Sequence, residues 1–281
     1  MRLVDGRAIA AGIAAEVAAF VAGRGRSWPT PTLAVVLPTQ DEAARWYVRS
    51  IQRAAAKTGI SCLVDELAGA GAGVITARLG ELSADPGVHG IICQTPLPTG
   101  ASLEEVAAHI DPAKDVDGAN PVSLGRLTAG RPSFAPATAA AVLEVLHSEQ
   151  VPLAGARAVV VGRSVVVGKP VALMLLAQDA TVTVCHSRTR DLLAVCAEAD
   201  VLVAATGRAG LIGAEHIKPG AVVIDVGTNP TPDGGFVGDV RADEAGGASA
   251  LTPVPGGVGP VTTMLLMRHT AQAAAGGPVG R

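Results

Sequence analysis

The chain has 281 residues, 49% of them hydrophobic and 2% aromatic, with a formal charge of −3. That length allows one or two domains with an ample core, and the hydrophobic share excludes a disordered chain. With no basic run and few aromatics, nucleic acid is excluded as a partner and a small-molecule site is the expectation. Nowhere do about 18 uncharged apolar residues run together, so no membrane span is expected. The first residues carry Asp5, Arg7 and Glu16 and lack a signal-peptide core. Cys62, Cys93, Cys185 and Cys196 are widely separated and unpaired by motif, which points to buried free thiols in a reducing cytoplasm. The histidines show no ligand spacing, so no metal is expected.

In chain order, Ala8–Val21 has the pattern of an amphipathic helix, and Leu33–Leu37 that of a buried strand bounded by prolines. Glu42–Lys57 is helical in composition and stops at Gly59, a natural C-cap. Ile60–Leu67 alternates like a strand, Gly69–Gly73 is a loop, Val74–Leu82 a helix and His89–Cys93 a strand. Ser102–His109 is a helix with Ser102 as N-cap and Glu105 at N3. Asp111–Pro136 reads as loop throughout, and Ala139–His147 as a helix. Strands follow at Ala156–Val161, Thr181–Cys185, Val201–Ala205 and Ala221–Val226, with a helix or turn between each, and Thr262–Ala275 closes the chain as a helix. Such alternation predicts an α/β fold of two lobes, with a mainly parallel sheet and a cleft between the lobes.

One stretch organises the second half. Residues 159–170 read VVVGRSVVVGKP: a buried strand, a polar turn, and a helix with Pro170 in its first turn, where a missing N–H costs nothing. A helix N-terminus facing a glycine turn attracts anions. A P-loop fails here, because five residues separate Gly162 from Gly168 and Pro170 stands where a Mg²⁺-binding hydroxyl belongs. A ligand-free turn and a Rossmann-type dinucleotide turn both remain, the latter without the full GxGxxG. The tip after Thr181–Cys185 favours the dinucleotide. An NAD site places an acid there, whereas this chain has His186-Ser187-Arg188-Thr189-Arg190. Ser187, Arg188 and Arg163 suit a 2′-phosphate and so favour NADP.

Several segments together resemble the methylenetetrahydrofolate dehydrogenase/methenyltetrahydrofolate cyclohydrolase family. They are GRSVVVGKP (162–170), TVTVCHSRT (181–189), ADVLVAATG (199–207), IKPGAVVIDVG (217–227), VGDV (237–240) and TPVPGGVGPVT (252–262), with GIICQTPLP (90–98) and KDVDGANP (114–121) in the first half. The resemblance implies a folate-binding catalytic domain of residues 1–137 plus 262–281 and a Rossmann-type NADP domain of residues 138–261. It implies oxidation of methylenetetrahydrofolate by NADP⁺, hydrolysis of the methenyl product, and a cytoplasmic homodimer. Alternatives are a catalytically idle folate or NADP binder, and a Rossmann oxidoreductase acting on another one-carbon substrate.

Carried over residue by residue, the resemblance implies Tyr47, Gln94 and Asp117 as catalytic residues that also bind folate, with Asp115, Pro255 and Gly256 beside them. For the cofactor it implies Gly162, Arg163, Ser164, Val167, Gly168, Ser187, Arg188, Thr206, Gly207 and Thr228. As a bland alternative, Asp115 and Asp117 simply cap turns. A calcium loop fails because Ala113 occupies its first ligand position. The family's lysine, four residues after the tyrosine, is Ile51 here. Residues on Tyr47's helical face are Ala43, Ala44, Ser50, Ile51 and Ala54, none of them basic, while Arg45, Arg49 and Arg53 project elsewhere. Hydride transfer rests on positioning, whereas hydrolysis needs proton management. Dehydrogenase activity is therefore expected and cyclohydrolase activity is expected to be weak or lost. Thr95 and the run Pro136-Ala137-Thr138-Ala139 also depart from the family pattern, which marks a divergent member.

Overall fold

The computed structural model describes residues 1–25 and 28–278. Its elements begin with β1 (Arg2–Leu3), α1 (Gly6–Ala22), β2 (Thr32–Leu37), α2 (Glu42–Thr58), β3 (Ser61–Glu66), α3 (Ala72–Ala84) and β4 (Gly90–Cys93). Next come α4 (Leu103–Ala107), α5 (Pro121–Thr128), α6 (Ala137–Ser148), β5 (Arg157–Val161), α7 (Gly168–Leu176), β6 (Thr181–Cys185) and α8 (Leu192–Cys196). The last are β7 (Val201–Ala204), β8 (Val222–Asp225), β9 (Asn229–Pro230), β10 (Phe236–Val237), β11 (Ala250–Leu251) and α9 (Val258–Ala274). No helix among the described residues is long and apolar enough to cross a membrane.

Two compact units emerge. One joins Ala11–Ala137 to the chain from Thr263 onward. Its sheet has the order β3-β2-β4, all parallel, with Leu33 opposite both Cys62 and Gly90. Strand β2 is central and its apolar residues from Leu33 to Leu37 are buried, as expected of a strand covered on both faces. Ala34 and Val36 pack with Ile75, Leu79, Ile91, Val106 and Ile110. On α2, Ala44, Val48, Ile51, Ala54, Ala55 and Thr58 are buried, the spacing of one helix face. Asp41 caps its start by accepting from the Ala44 N–H at 2.9 Å. Gly59 ends it in the left-handed region at φ +75°. Ser102 and Glu105 form the expected capping box on α4.

The other unit joins Met1–Ala10 to Thr138–Thr262. It holds a six-stranded parallel sheet of order β1-β11-β8-β7-β5-β6 and a small antiparallel hairpin of β9 with β10. From β5 the chain builds β6 on one side and then returns to build β7 on the other. The carboxyl end of β5 is thus a topological switch point, where open α/β sheets bind ligands.

Four expectations need correction. The first ten residues were placed with the first-half lobe. Instead β1 pairs with β11, Arg2 opposite Ala250 and Leu3 opposite Leu251, and Arg2 is ion-paired to Glu149. Gly6 lies so close to Gly257 that a Cβ would sit 1.8 Å from its carbonyl oxygen. Second, Asp111–Pro136 is not all loop, because α5 lies within it. Asn120 is its N-cap and Pro121 its first residue, the placement in which proline's missing N–H is harmless. Third, α3 begins at Ala72, inside the expected glycine loop. Finally, α9 begins at Val258, four residues early, with Pro260 in its first turn.

Asn120 is almost fully buried and joins both sides of its turn. Its side-chain oxygen accepts from the Val122 N–H at 2.7 Å and its amide donates to the Ile110 carbonyl at 2.8 Å. Asn120→Ala removes the cap and strands that carbonyl, and should lower the unfolding free energy by about 1–3 kcal/mol in urea denaturation. Asn120→Asp keeps the acceptor and should lose less.

Candidate active site

In the first unit, Tyr47 sits at the border of the buried face of α2 and is half-buried. Two groups bear on its hydroxyl. The Asp117 carboxylate faces it, and the Thr263 side chain, on α9, is hydrogen-bonded to it. The Thr263 contact favours the phenolate. Burial and the Asp117 charge outweigh it and hold the phenol well above its usual range, so Tyr47 keeps its proton.

Asp117 stands in a tight turn that ends at Gly118, whose φ is +61°. A Cβ on Gly118 would lie 2.4 Å from the Pro136 nitrogen, so the turn accepts only glycine without rearrangement. Burial, then the neighbouring Asp115, push the Asp117 carboxyl up to about 7, against a lowering hydrogen bond from the Ala137 N–H. Just before it, the Val116 carbonyl accepts the Nδ1–H of buried His269 at 2.8 Å, and that ring packs on Phe134 with centroids 5.1 Å apart. Gln94 follows β4 directly. Its N–H donates to the Val36 carbonyl at 2.9 Å, and its side chain is half-buried at the strand end.

Asp115 behaves differently from the expectation of a folate contact. It is 0% exposed and accepts from the Ala119 and Asn120 N–H groups, each at 2.9 Å, and from the Ser123 hydroxyl at 2.6 Å. It is spent on tying its loop to the start of α5. Burial nonetheless leaves its carboxyl above the usual range. Ile51 is also 0% exposed and belongs to the core. Arg45 is held by Glu66 at 2.7 Å, and Arg49 and Arg53 are exposed. No arginine of α2 therefore stands in for the lysine that the resemblance implies at this position.

In the second unit, Gly162 ends β5 at φ +134°, and a Cβ there would meet the Ala205 carbonyl oxygen at 2.1 Å. A Cβ on Gly168 would lie 2.2 Å from the Gly162 carbonyl oxygen. The turn and the helix start are thus brought together by two glycines that no other residue replaces. Ser164 caps α7 from within the turn, its hydroxyl accepting from Val167 N–H at 3.2 Å and Gly168 N–H at 3.3 Å. Arg163, Ser187 and Arg188 are exposed, and no ion-pair partner stands by either arginine among the described residues. The tip after β6 is shaped by the His186 N–H donating to the Thr189 hydroxyl at 2.9 Å. Unpaired cations and a hydroxyl without an acid among them fit a phosphate.

Thr206, Gly207 and Thr228 lie on loops after β7 and β8, and two acids that the sequence reading left out hold those loops. Buried Asp239 accepts from the Thr206 N–H at 2.5 Å, Gly207 N–H at 3.1 Å, Arg208 N–H at 2.9 Å and the Asn229 amide at 2.9 Å. Asp225 accepts from the Gly227, Asp239 and Val240 N–H groups, all at 2.9 Å. Burial pushes the Asp225 carboxyl up to about 6. Both acids fall in motifs quoted above, IDVG and VGDV, so the signal was present. Pro255 and Gly256 line a small cavity of this unit together with Val4, Asp5 and Arg7. Three of the four cysteines are buried, Cys62 is half-buried, and all are free thiols. Among the described residues no cluster of three His, Cys, Asp or Glu could hold a metal ion.

Comparison with known proteins adds the following. Residues 4–117 match the family model of the tetrahydrofolate dehydrogenase/cyclohydrolase catalytic domain, and residues 136–276 match that of the NAD(P)-binding domain. A curated relative, the bifunctional protein FolD of Parafrankia sp., is 63% identical over 277 residues, covering 98% of this chain and 100% of that protein. Among solved structures, the bifunctional FolD methylenetetrahydrofolate dehydrogenase/cyclohydrolase of Campylobacter jejuni is 37% identical, with a TM-score of 0.93 and coverage of 98% and 99%. The Trypanosoma brucei dehydrogenase-cyclohydrolase, solved with NADP cofactor and an inhibitor, is 37% identical with a TM-score of 0.92, covering 97% and 96%.

The proton on Asp117 makes the fold pH-sensitive. In the unfolded chain an aspartate titrates near 3.9, so between about pH 4 and pH 7 the folded chain binds more protons. Stability from this group is complete below about pH 4 and is lost as pH rises through 7. Asp117→Asn should therefore raise the melting temperature at pH 8, and that gain should vanish towards pH 4.5. A gain that grows on acidification would contradict the burial of this carboxyl.

Proposed function

The chain belongs to the tetrahydrofolate dehydrogenase/cyclohydrolase family, and from that premise we propose that it oxidises 5,10-methylenetetrahydrofolate to the methenyl form with NADP⁺, with methenyl hydrolysis weak or lost. The observation that carries the second clause is Ile51, fully buried where the resemblance implies a lysine. When bound, NADP⁺ supplies the hydride acceptor. Gly162 and Gly168 would let its phosphates approach the backbone, and Arg163, Ser187 and Arg188 would hold the 2′-phosphate. Ser164, Val167, Thr206, Gly207 and Thr228 would line the remainder.

On the folate side, Tyr47 would lie against the ring system, with Asp117 and Gln94 as its hydrogen-bonding partners. Removal of a hydride from the methylene carbon leaves no proton to manage, so positioning suffices. Attack by water on the methenyl carbon releases a proton. Within this group Tyr47 holds its own proton, and Asp117 is the sole carboxyl free of its loop. General acid–base help is typically worth 10²–10⁴-fold, and that is the measure of the expected deficit. We further propose a cytoplasmic homodimer, the form the family resemblance implies, which sedimentation would test by a species of twice the chain mass.

Measuring NADPH formation and methenyl decay on one sample tests the main reading. NADPH should form, and the hydrolysis rate should be at least about 100-fold below hydride transfer. NADP⁺ binding without turnover would leave an idle binder. Ile51→Lys should raise hydrolysis selectively while lowering the melting temperature, since it places an ammonium in the core. Replacing Ser187 by Asp together with Arg188→Ala should move the preference from NADP⁺ towards NAD⁺ by at least about tenfold, the loss of a charge-assisted contact.

A further inference from the structure

We propose that Asp239 is a positioning residue for the cofactor, its one carboxylate locking the loop after β7 to the loop after β8 so that both present a fixed wall to the nicotinamide half of NADP⁺. This rests on the cofactor reading above and gives a role to a residue that the resemblance leaves unassigned. The sheet order β8-β7-β5-β6 puts β6 on one side of β5 and β7 and β8 on the other. With the 2′-phosphate at the tip after β6 and the diphosphate at the turn after β5, a dinucleotide that crosses the switch point lays its second half over the ends of β7 and β8. Those ends carry Thr206, Gly207 and Thr228.

Asp239 is 0% exposed and lies just past the β9–β10 hairpin, outside both loops. Its Oδ2 accepts from the Thr206 and Gly207 N–H groups at 2.5 and 3.1 Å, both on the β7 side. Its Oδ1 accepts from the Arg208 N–H and from the Asn229 side-chain amide, each at 2.9 Å, and Asn229 directly follows Thr228. One oxygen therefore bridges the two loops. The backbone of Asp239 is pinned as well. Its N–H donates to Asp225 Oδ1 at 2.9 Å, and its carbonyl accepts from the Ile212 N–H at 2.9 Å. An acid fixed at the backbone, with four donors on two oxygens, holds both loops at set distances. Tied to one loop alone, it would leave the other free to shift.

The experiment compares two ligands by calorimetry. NADP⁺ spans the whole site, whereas 2′,5′-ADP carries the adenosine and its phosphates and lacks the nicotinamide. Asp239→Asn keeps the side-chain shape and turns an amide nitrogen toward groups that are themselves donors. It should weaken NADP⁺ roughly tenfold, about the equivalent of one hydrogen bond left unmade, and leave the Kd for 2′,5′-ADP unchanged. Retained binding of 2′,5′-ADP shows at the same time that the unit is folded. An equal loss of both ligands would overturn the proposal, because the acid would then be acting on the fold alone. Unchanged NADP⁺ binding would overturn it too.

A gentler variant decides the matter if Asp239→Asn does not fold. Asn229→Ala removes the bridging amide and leaves the three N–H bonds of the β7 loop in place. It should weaken NADP⁺ roughly threefold, with 2′,5′-ADP again unchanged. In an Asp239→Asn background it should cause no further loss, and an equal loss in both backgrounds would overturn the bridge. The same measurements separate this proposal from the readings beneath it. A wild-type protein that binds neither ligand would overturn the cofactor reading, and the proposal with it. One that binds NADP⁺ with the expected pattern in the variants, yet forms no NADPH, would overturn the dehydrogenase reading and leave the positioning role standing.

Discussion

Each unit places its functional loops by burying a carboxylate among backbone N–H groups. Asp115 gathers two N–H groups and a hydroxyl, Asp239 three N–H groups and an amide, and Asp225 three N–H groups. Burying a charge is unfavourable by several kcal/mol unless it is hydrogen-bonded, and charge-assisted bonds are about twice as strong as neutral ones. The balance is close. Burial still leaves the Asp115 and Asp225 carboxyls above the usual range. The gain is geometric, since loops that carry ligand contacts need their own N–H groups satisfied before they can present side chains outward. Close glycines complete the arrangement. A Cβ on Gly238 would lie 1.8 Å from Asp225 Oδ2, and one on Gly227 would lie 2.4 Å from Asp239 Oδ1.

The folate-side group is built around a different balance. Tyr47 and Asp117 are both pushed up by burial and by a neighbouring negative charge, so at neutral pH the phenol is fully protonated and the carboxyl is divided between its two forms. A lysine beside them would relieve both pressures by supplying a positive charge, and Ile51 supplies none. Its place in the core shows that the change is more than a missing ammonium, because the apolar side chain has joined the packing beneath α2. What Ile51 does not supply is an ammonium beside Tyr47 and Asp117.

Much of the fold was legible because its signals are local. Gly59 announced the end of α2, Ser102 and Glu105 announced α4, and apolar runs bounded by turns announced the strands. Errors arose where the deciding contact is distant in sequence. Nothing near Arg2 and Leu3 reveals that they pair with Ala250 and Leu251, more than two hundred residues away. Helix α5 was hidden because Asn-Pro reads equally as a turn and as a cap followed by N1, and the choice is made by Asp115 and Ile110, which hold the cap from outside. Thr263 and His269 carried no signal of their own, since a threonine and a histidine on an apolar helix read as core.

The pair Asp115 and Asp117 shows the limit of motif reasoning most sharply. Two residues apart in one DVDG turn, they are chemically identical, and the resemblance assigned both to the substrate. In a turn that closes through Gly118, residues so spaced need not face the same way. Asp115 lies within reach of the start of α5, where three donors wait, and it is fully occupied there. Asp117 receives one backbone bond from Ala137 and otherwise faces Tyr47. The inward acid fixes the turn, and the fixed turn leaves the other acid insufficiently solvated, which is why its proton is retained to about pH 7. The raised carboxyl of Asp117 thus follows first from burial and then from the charge of the neighbour that fixes its turn.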